Sequence, residues 1–170
     1  MLADKTIIAI FAMDEHRGVW YQGHLPAWKM PEDMAHFRRS ITDRTIVMGR
    51  KTYESLRVIY GTKYPDIHWH PKAKHNIIIS RQSLPGAHVA QTVQQAVDLC
   101  PDDELRVIGG TQVFQMFWPY IDQIYLTKIA GVYPADTYLP PFEDQFRIVK
   151  SWPAEHDDCM FSFWLRHQQK

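Results

Sequence analysis

The sequence has few of the features that mark secreted, membrane or nucleic-acid-binding proteins. Its 170 residues include only two cysteines, Cys100 and Cys159, which argues against a disulfide framework and for reduced thiols. The 19 Lys and Arg residues balance the 19 Asp and Glu residues, so no general electrostatic grip on nucleic acid or anionic membrane is expected. The apolar run Ile7–Met13 is about half the length of a membrane span. We therefore expect a cytoplasmic protein without nucleic-acid or membrane partners.

The residues that are present suffice for one packed domain, which we expect to cover 1–170. Hydrophobic residues make up 45% of the chain and aromatic residues 13%. Short apolar runs typical of buried strands alternate with helical patterns. Strands are predicted at 6–13, 45–48, 76–80, 87–90, 105–108 and 121–129, and a C-terminal hairpin at 146–152 and 159–166. Helices are predicted from Pro31, after residue 52 through Leu56, after Thr92 as N-cap with Gln95 completing a capping box, and after residue 110. Residues 14–26 are predicted to be a loop.

This alternation predicts an α/β fold, a three-layer sandwich around a mostly parallel sheet with a C-terminal antiparallel hairpin. In such sheets, ligands bind beyond the carboxyl ends of the strands. Three predicted strand ends carry residues suited to binding: Gly49–Thr52, Ser80–Arg81 and Gly109–Thr111.

The two glycine-containing turns and the two arginines suggest a phosphate-bearing ligand. Glycine lets the backbone approach an anion, and a helix N-terminus favours negative charge. Arg50 and Arg81 fit paired hydrogen bonds to a phosphate monoester, as in the 2′-phosphate of NADPH. Ordinary strand-to-helix turns and solvated surface arginines are the alternatives, and either feature alone does not exclude them.

Asp33 is the acid with the most specific candidate role. It lies in the predicted first turn of a helix, two residues after Pro31 and before an apolar face. One interpretation is that it only complements the helix dipole. The other is a buried carboxylate that accepts two hydrogen bonds from an N–C–N edge. His68 and His70 would share one face of a strand, but no acid or cysteine accompanies them at a metal-binding spacing, so we expect no metal.

Several motifs in a fixed order together resemble the dihydrofolate reductase family, bacterial members most of all. The similarity spans nearly the whole chain, and the Met-Gly-Arg-Lys-Thr-Tyr-Glu-Ser and Ile-Gly-Gly motifs are highly specific as a pair. The matching segments are 24–26 with Trp28, 31–38, 46–55, 76–80, 107–110, 125–127 and 135–137.

The resemblance implies reduction of 7,8-dihydrofolate to tetrahydrofolate by NADPH, with hydride transfer to C6 and protonation of N5. Asp33, supported by Thr127 and a water, would bind the 2-amino group and N3 of the pterin, and Trp28 would hold a second water. The remaining substrate contacts implied are Ile10, Phe37, Leu56, Lys74 and Ile108. Antifolates would compete for this site, and the protein would be a monomer.

The resemblance also implies where the cofactor binds. The expected contacts are Ala12, Val19, Leu25, Gly49, Arg50, Lys51, Thr52, Ser80, Arg81, Gly109, Gly110, Thr111, Gln112, Val113 and Phe114. A cis peptide is expected between Gly109 and Gly110, and the loop before Pro26 is expected to close over the nicotinamide.

Three positions depart from the family pattern. Trp20 replaces a glycine of the closing loop, and a bulky residue there is expected to disfavour a positive φ. Ala27 is an extra residue before Trp28. Lys74 stands where the family has an arginine for the substrate's α-carboxylate, so we expect weaker binding of the glutamate tail unless Arg57 or Arg38 substitutes.

Two other functions fit parts of the pattern. A pyrimidine reductase of riboflavin synthesis has the same architecture and cofactor, but does not need an acid placed as Asp33 is. A non-catalytic folate or nucleotide binder is the alternative from another class, and an assay of cofactor oxidation separates it from an enzyme.

Overall fold

The computed structural model describes residues 2–23, 26–60 and 72–168, with the backbone alone described at residues 59 and 60. The helices are α1 Pro31–Ile41, α2 Arg50–Tyr60, α3 Val93–Leu99 and α4 Thr111–Phe117, with a 3-10 turn at Trp118–Tyr120. The strands are β1 Thr6–Met13, β2 Gly18–Trp20, β3 Thr45–Gly49, β4 His75–Ile79, β5 His88–Ala90, β6 Glu104–Val107, β7 Gln123–Ile129, β8 Thr137–Tyr138, β9 Phe146–Pro153 and β10 Cys159–Arg166.

Eight of these strands form one sheet in the order β5-β4-β3-β6-β1-β7-β10-β9. The pairs from β5 to β7 are parallel, and β10 pairs antiparallel with both β7 and β9. The predicted α/β class, the mostly parallel sheet and the antiparallel C-terminal hairpin are therefore confirmed.

Two apolar clusters cover the two faces of this sheet. One cluster joins β1, β6 and β7 to α3 and α4 through side chains such as Ala96 and Phe117. The other joins β1, β3 and β4 to α1 and α2 through Ile41 and Tyr53. Strands buried from both sides need continuous apolar runs, which is why the Val- and Ile-rich segments of the sequence predicted them.

The predicted loop 14–26 contains one element that was not predicted. Its residues 18–20 form β2, which pairs with β8 far along the chain. The pairing is reinforced because the Asp136 N–H donates to the Trp20 carbonyl at 2.9 Å and the Gln22 N–H donates to the Asp136 carboxylate at 2.7 Å. A three-residue strand has too little periodicity to be recognised locally, since its partner supplies the order.

Other boundaries differ by small amounts. Helix α2 continues to residue 60, beyond the predicted end at Leu56. Thr92 caps α3 as predicted and accepts a hydrogen bond from the Gln95 N–H, but the Gln95 side chain accepts from the Gln91 N–H, so the predicted capping box is displaced by one residue.

Asp14 holds the segment after β1 against the segment after β7. Its carboxylate is fully buried and accepts hydrogen bonds from the N–H groups of His16, Gly18 and Tyr133 at 2.9–3.0 Å. This arrangement fixes the start of the loop that precedes Asp33. Cys100 and Cys159 are both buried and free, and among the described helices none is long and apolar enough to cross a membrane.

Candidate active site

Asp33 lies in the first turn of α1, where the helix begins beside the carboxyl ends of β1 and β7. Pro31 suits this position because its ring fixes a helical φ and its missing N–H would have no partner in the first turn. The Asp33 side chain is buried, with the residue 9% exposed. A cavity of about 270 Å³ opens beside it, lined by Trp28, Met30, Met34 and their neighbours. A carboxylate therefore faces a small, mostly apolar space.

The environment of Asp33 makes it a weaker acid than usual. Burial raises the pKa of its carboxyl, a hydrogen bond with the Thr127 side chain lowers it, and the nearby Asp157 carboxylate raises it; the net shift is upward. Burial dominates because a neutral hydroxyl compensates only part of the solvation that an anion loses. A buried and only partly compensated carboxylate can accept strong hydrogen bonds from a ligand with complementary N–H groups.

Four of the predicted substrate contacts share one apolar cluster with α1 on the same face of the sheet. Ile10 belongs to the buried cluster on this face of the sheet, and Phe37, Leu56 and Ile108 pack against it while staying partly exposed. These side chains come from a strand, two helices and a strand end that the sheet order brings together. Phe37 lies four residues after Asp33 on α1, and therefore on the same side of the helix, so this apolar surface adjoins the acid.

Strand pairing and side-chain packing place three more predicted residues near Asp33: Ala12, Thr127 and Trp28. Ala12 on β1 lies directly opposite Thr127 on β7. Trp28 is 8% exposed and packs in a cluster with Ala12 at its margin. Its ring lies edge-on to Tyr133 at 5.7 Å between centroids. The insertion at Ala27 therefore does not prevent Trp28 from lining the cavity with Asp33.

The predicted phosphate-binding residues meet at the neighbouring strand ends. Strands β4, β3 and β6 are adjacent, so the turns that begin at Ser80, Gly49 and Gly109 lie side by side. The Gly49 N–H donates to the Gly109 carbonyl at 2.8 Å. A Cβ on Gly49 would lie 3.1 Å from the Val113 side chain, so a larger residue here would require Val113 to shift by a few tenths of an ångström.

Arg50 and Arg81 both remain accessible at this edge. The Arg50 side chain is 46% exposed and donates to the carboxylate of Glu54 at 2.9 Å and to the side-chain oxygen of Gln82 at 2.6 Å. Arg81 is exposed. Glu54 and Gln82 were not singled out from the sequence, although the spacing of four residues between Arg50 and Glu54 on a helix indicates such a pair.

Trp20 covers the turn between β6 and α4. The Gly109–Gly110 peptide is cis, as predicted, and Gly109 has φ +124°. Cβ atoms on Gly109 and Gly110 would lie 3.4 and 3.5 Å from the Trp20 indole. Trp20 itself is in extended β2 and has no positive φ, so the backbone accommodates the bulky residue and the side chain takes the space over the glycines.

The remaining predicted cofactor residues differ in what they can offer. Three of them, Val19, Val113 and Phe114, are buried in the core, so only their backbone can reach a ligand. Lys51 is exposed. The turns at Gly49 and Gly109 are flanked by Thr52, Thr111 and Gln112. Leu25, His68 and His70 lie outside the described residues.

Lys74 lies apart from the residues around Asp33. It precedes β4, and its ammonium is 3.6 Å from the carboxylate of Asp102, which also accepts a hydrogen bond from Thr45. Arg57 is exposed and lies over the Tyr53 ring at 5.9 Å, and Arg38 is exposed near the end of α1.

The upward shift in the pKa of Asp33 predicts how this residue affects stability. A carboxyl with a raised folded-state pKa contributes stability below its unfolded pKa, and this contribution is lost as pH rises through the folded pKa. Asp33→Asn should therefore be more stable than the parent at pH 7, by about 0.5–2 kcal/mol, the range common for relieving a strained functional site. Urea unfolding at pH 7 and pH 4 measures this, and the gap should shrink at the lower pH. A less stable variant at pH 7 would contradict the assignment of Asp33 as a buried, poorly compensated acid.

Comparison with known proteins identifies the family of the chain. The family model described as dihydrofolate reductase matches residues 6–167. The dihydrofolate reductase of Bacillus subtilis is 32% identical over 154 residues, covering 88% of this chain and 84% of the relative. That of Haemophilus influenzae is 32% identical over 134 residues, covering 77% and 74%. The match extends over almost the entire chain, and we conclude that the chain belongs to the dihydrofolate reductase family of enzymes.

Proposed function

We propose that this enzyme reduces 7,8-dihydrofolate to 5,6,7,8-tetrahydrofolate with NADPH, by hydride transfer to C6 and protonation of N5. The observation that supports this best is the buried Asp33 carboxyl with its raised pKa, beside a cavity of about 270 Å³ and next to Thr127. The pterin ring has an N3–H and a 2-amino group on one edge, so it can donate two parallel hydrogen bonds to a single carboxylate. Family membership favours this reaction over that of a pyrimidine reductase or a non-catalytic binder.

The apolar residues around Asp33 suit the rest of a folate. We assign Phe37 and Leu56 to the two faces of the pterin and benzoyl rings, because both pack on the cluster of Ile10 yet stay partly exposed. The carbonyls of Ile10 and Ile108 are assigned to the far edge of the pterin. Trp28 closes the cavity on the other side and is assigned to hold a water.

The strand ends next to this slot fit a phosphorylated nicotinamide cofactor. Gly49 and Gly109 bring two backbone turns together, and exposed Arg50 and Arg81 add positive charge at the same edge. Lys51, Thr52 and Ser80 supply further donors, and Val19, Leu25 and residues 110–114 complete the assigned contact set. We assign Arg50 and Arg81 to the 2′-phosphate and Ala12 to the carboxamide of the nicotinamide.

Trp20 gives this cofactor site a feature of its own. Its indole lies over Gly109 and Gly110, so a cofactor that reaches this turn has to contact Trp20 or displace it. The β2–β8 pairing and the Asp136 hydrogen bonds hold the Trp20 backbone, so movement would be confined to the side chain unless that pairing opens. We infer that the loop before Pro26 closes over the bound rings and excludes water.

The chain's own groups align and polarise the substrate. When bound, the reduced nicotinamide supplies the hydride. The Asp33 carboxylate accepts hydrogen bonds from N3 and the 2-amino group, which moves electron density toward N5 and raises its proton affinity from a distance. Thr127 orients Asp33, and Phe37, Leu56 and Trp28 hold the ring in place. We assign the proton on N5 to water.

Several finer points stay predictions. Lys74 is paired with Asp102, so binding of the glutamate tail through Lys74 requires it to leave or share that partner, with Arg57 and Arg38 as the alternatives. We also infer that the chain acts as a monomer of one domain, that it is cytoplasmic, and that antifolates compete for the site.

Turnover with dihydrofolate tests the role of Asp33. The parent should oxidise NADPH only when dihydrofolate is present. The loss of cofactor absorbance measures this oxidation. Asp33→Asn should bind the cofactor normally and lose about 100- to 1,000-fold in kcat at pH 7, because a neutral amide cannot supply the negative charge. Asp43→Asn is the matched control, since Asp43 follows the same helix with φ +56°, a conformation that asparagine tolerates. Unchanged turnover of Asp33→Asn would reject the assigned role.

Cofactor preference tests the assignment of the two arginines. Arg50→Ala with Arg81→Ala should lower the ratio of kcat/KM for NADPH to that for NADH by about 100-fold or more, because each guanidinium contributes charge-assisted hydrogen bonds. Arg147→Ala, on the exposed outermost strand β9, serves as the control and should leave the ratio unchanged. An equal ratio in the double variant and the parent would exclude this phosphate site.

A further inference from the structure

The first turn of α1 and the turn between β9 and β10 bind each other reciprocally. The Glu32 carboxylate accepts hydrogen bonds from three successive backbone N–H groups, those of Glu155, His156 and Asp157. In return, the Asp157 carboxylate accepts from the Glu32 N–H at 2.7 Å. We call this set of four hydrogen bonds the Glu32–Asp157 clasp.

The clasp satisfies groups that the local sequence leaves without partners. Helix α1 has no side-chain hydrogen bond at its N-cap, Met30, and Pro31 has no N–H, so the Glu32 N–H is an early helical donor that needs an acceptor from elsewhere. Asp157 supplies it across 125 residues of sequence. Three successive N–H groups around Glu32 form a concave anion-binding turn of the kind that favours a carboxylate.

Glu32 stays ionised in this setting. Burial acts to raise the pKa of its carboxyl, but the hydrogen bonds from residues 155–157 lower it, and the net shift is downward. A lowered pKa means that the ionised acceptor is present at neutral pH and is lost only when pH falls through that lowered value. The clasp is therefore fully formed under the conditions in which the enzyme is proposed to work.

The clasp and Asp33 connect the start of α1 to the same pair of strands. Asp33 follows Glu32 directly and is hydrogen-bonded to Thr127 on β7. Thr127 lies opposite Phe161 on β10 in the sheet, and β10 begins at Cys159, two residues after Asp157. The start of α1 is thus attached to the β7–β10 pair at two points, once through Asp33 and once through the clasp.

We propose that Glu32 and Asp157 are positioning residues for Asp33, which hold the start of α1 against the 154–158 turn and so fix the Asp33 carboxyl relative to Thr127 and the substrate ring. This inference rests on the role of Asp33 in the proposed function. It adds that the C-terminal hairpin, which contributes none of the assigned substrate contacts, takes part in building the site.

Among the charged and titratable groups near Asp33, Asp157 is the one whose charge can be removed to test the proposal. From its own helix, Asp33 neighbours Glu32 and His36. Burial lowers the pKa of His36, whose ring packs at a tilt against Phe161 with 4.4 Å between centroids. From β10, burial raises the pKa of the Cys159 thiol to about 11, so it is neutral at pH 7. The 154–158 turn supplies the Asp157 carboxylate, whose charge raises the pKa of Asp33.

The direct experiment measures the pKa of Asp33 by NMR in the ligand-free protein with carbon-13-labelled aspartate carboxyls, assigning the signal by its absence from Asp33→Asn. Asp157→Asn retains an oxygen that can accept from the Glu32 N–H but removes the charge, so the pKa of Asp33 should fall. Asp158→Asn, the control, removes a charge from an exposed side chain of the same turn and should leave it nearly unchanged. Equal Asp33 pKa values in both variants would overturn the proposed contact.

Turnover supplies the second readout. Glu32→Gln cannot offer a charged acceptor to the three N–H groups, so kcat/KM for dihydrofolate should fall by about 10- to 100-fold through misplacement of Asp33, with cofactor affinity retained. Turnover of Glu32→Gln equal to that of the parent would also overturn the proposal. Full turnover of Asp33→Asn would instead reject the proposed function, whereas the NMR result for Asp157→Asn is independent of that outcome. If Glu32→Gln does not fold, as judged by circular dichroism, the Asp157→Asn measurement decides alone.

Discussion

The hydrogen bond between Thr127 and the buried Asp33 carboxyl joins the first turn of a helix to the middle of the sheet. Removing a carboxylate from water costs free energy, and a neutral hydroxyl offsets only part of that cost. The pKa of Asp33 is therefore raised, and the negative charge of its carboxylate is only partly compensated within the protein. Burying this carboxylate lowers the free energy of unfolding but holds a hydrogen-bond acceptor in a fixed position. Functional sites commonly cost stability in this way.

Sheet order explains how one edge can serve two ligands. Strands β4, β3, β6, β1 and β7 are consecutive neighbours and all parallel, so their carboxyl ends form one continuous row. The row begins with Arg81, Arg50 and the two glycine turns, and ends with Ala12 beside Thr127. Cationic and polar groups thus occupy one end and the buried acid the other, which matches a cofactor and a substrate lying next to each other.

Local sequence patterns predicted most of these strands and helices, because buried strands and amphipathic helices show their periodicity in consecutive residues. Asp33, Gly49 and Arg50 were recognisable from the elements that precede or follow them. The features that the sequence did not predict depend on distant partners. Strand β2 is ordered by its pairing with β8, and Asp157 binds Glu32 across 125 residues of sequence. Similarly, no spacing rule indicates that the Trp20 indole lies over Gly109 and Gly110.

The claim on which everything else rests is that the ionised Asp33 meets an N–C–N edge of the bound ring. The ultraviolet spectrum of a bound 2,4-diaminopteridine tests it directly, because the protonated and neutral rings absorb differently. At pH 7.5 the parent should bind the ring in its protonated form, since the carboxylate stabilises the cation, and Asp33→Asn should bind it neutral. A neutral ring in the parent, or the same spectrum in both proteins, would contradict the account.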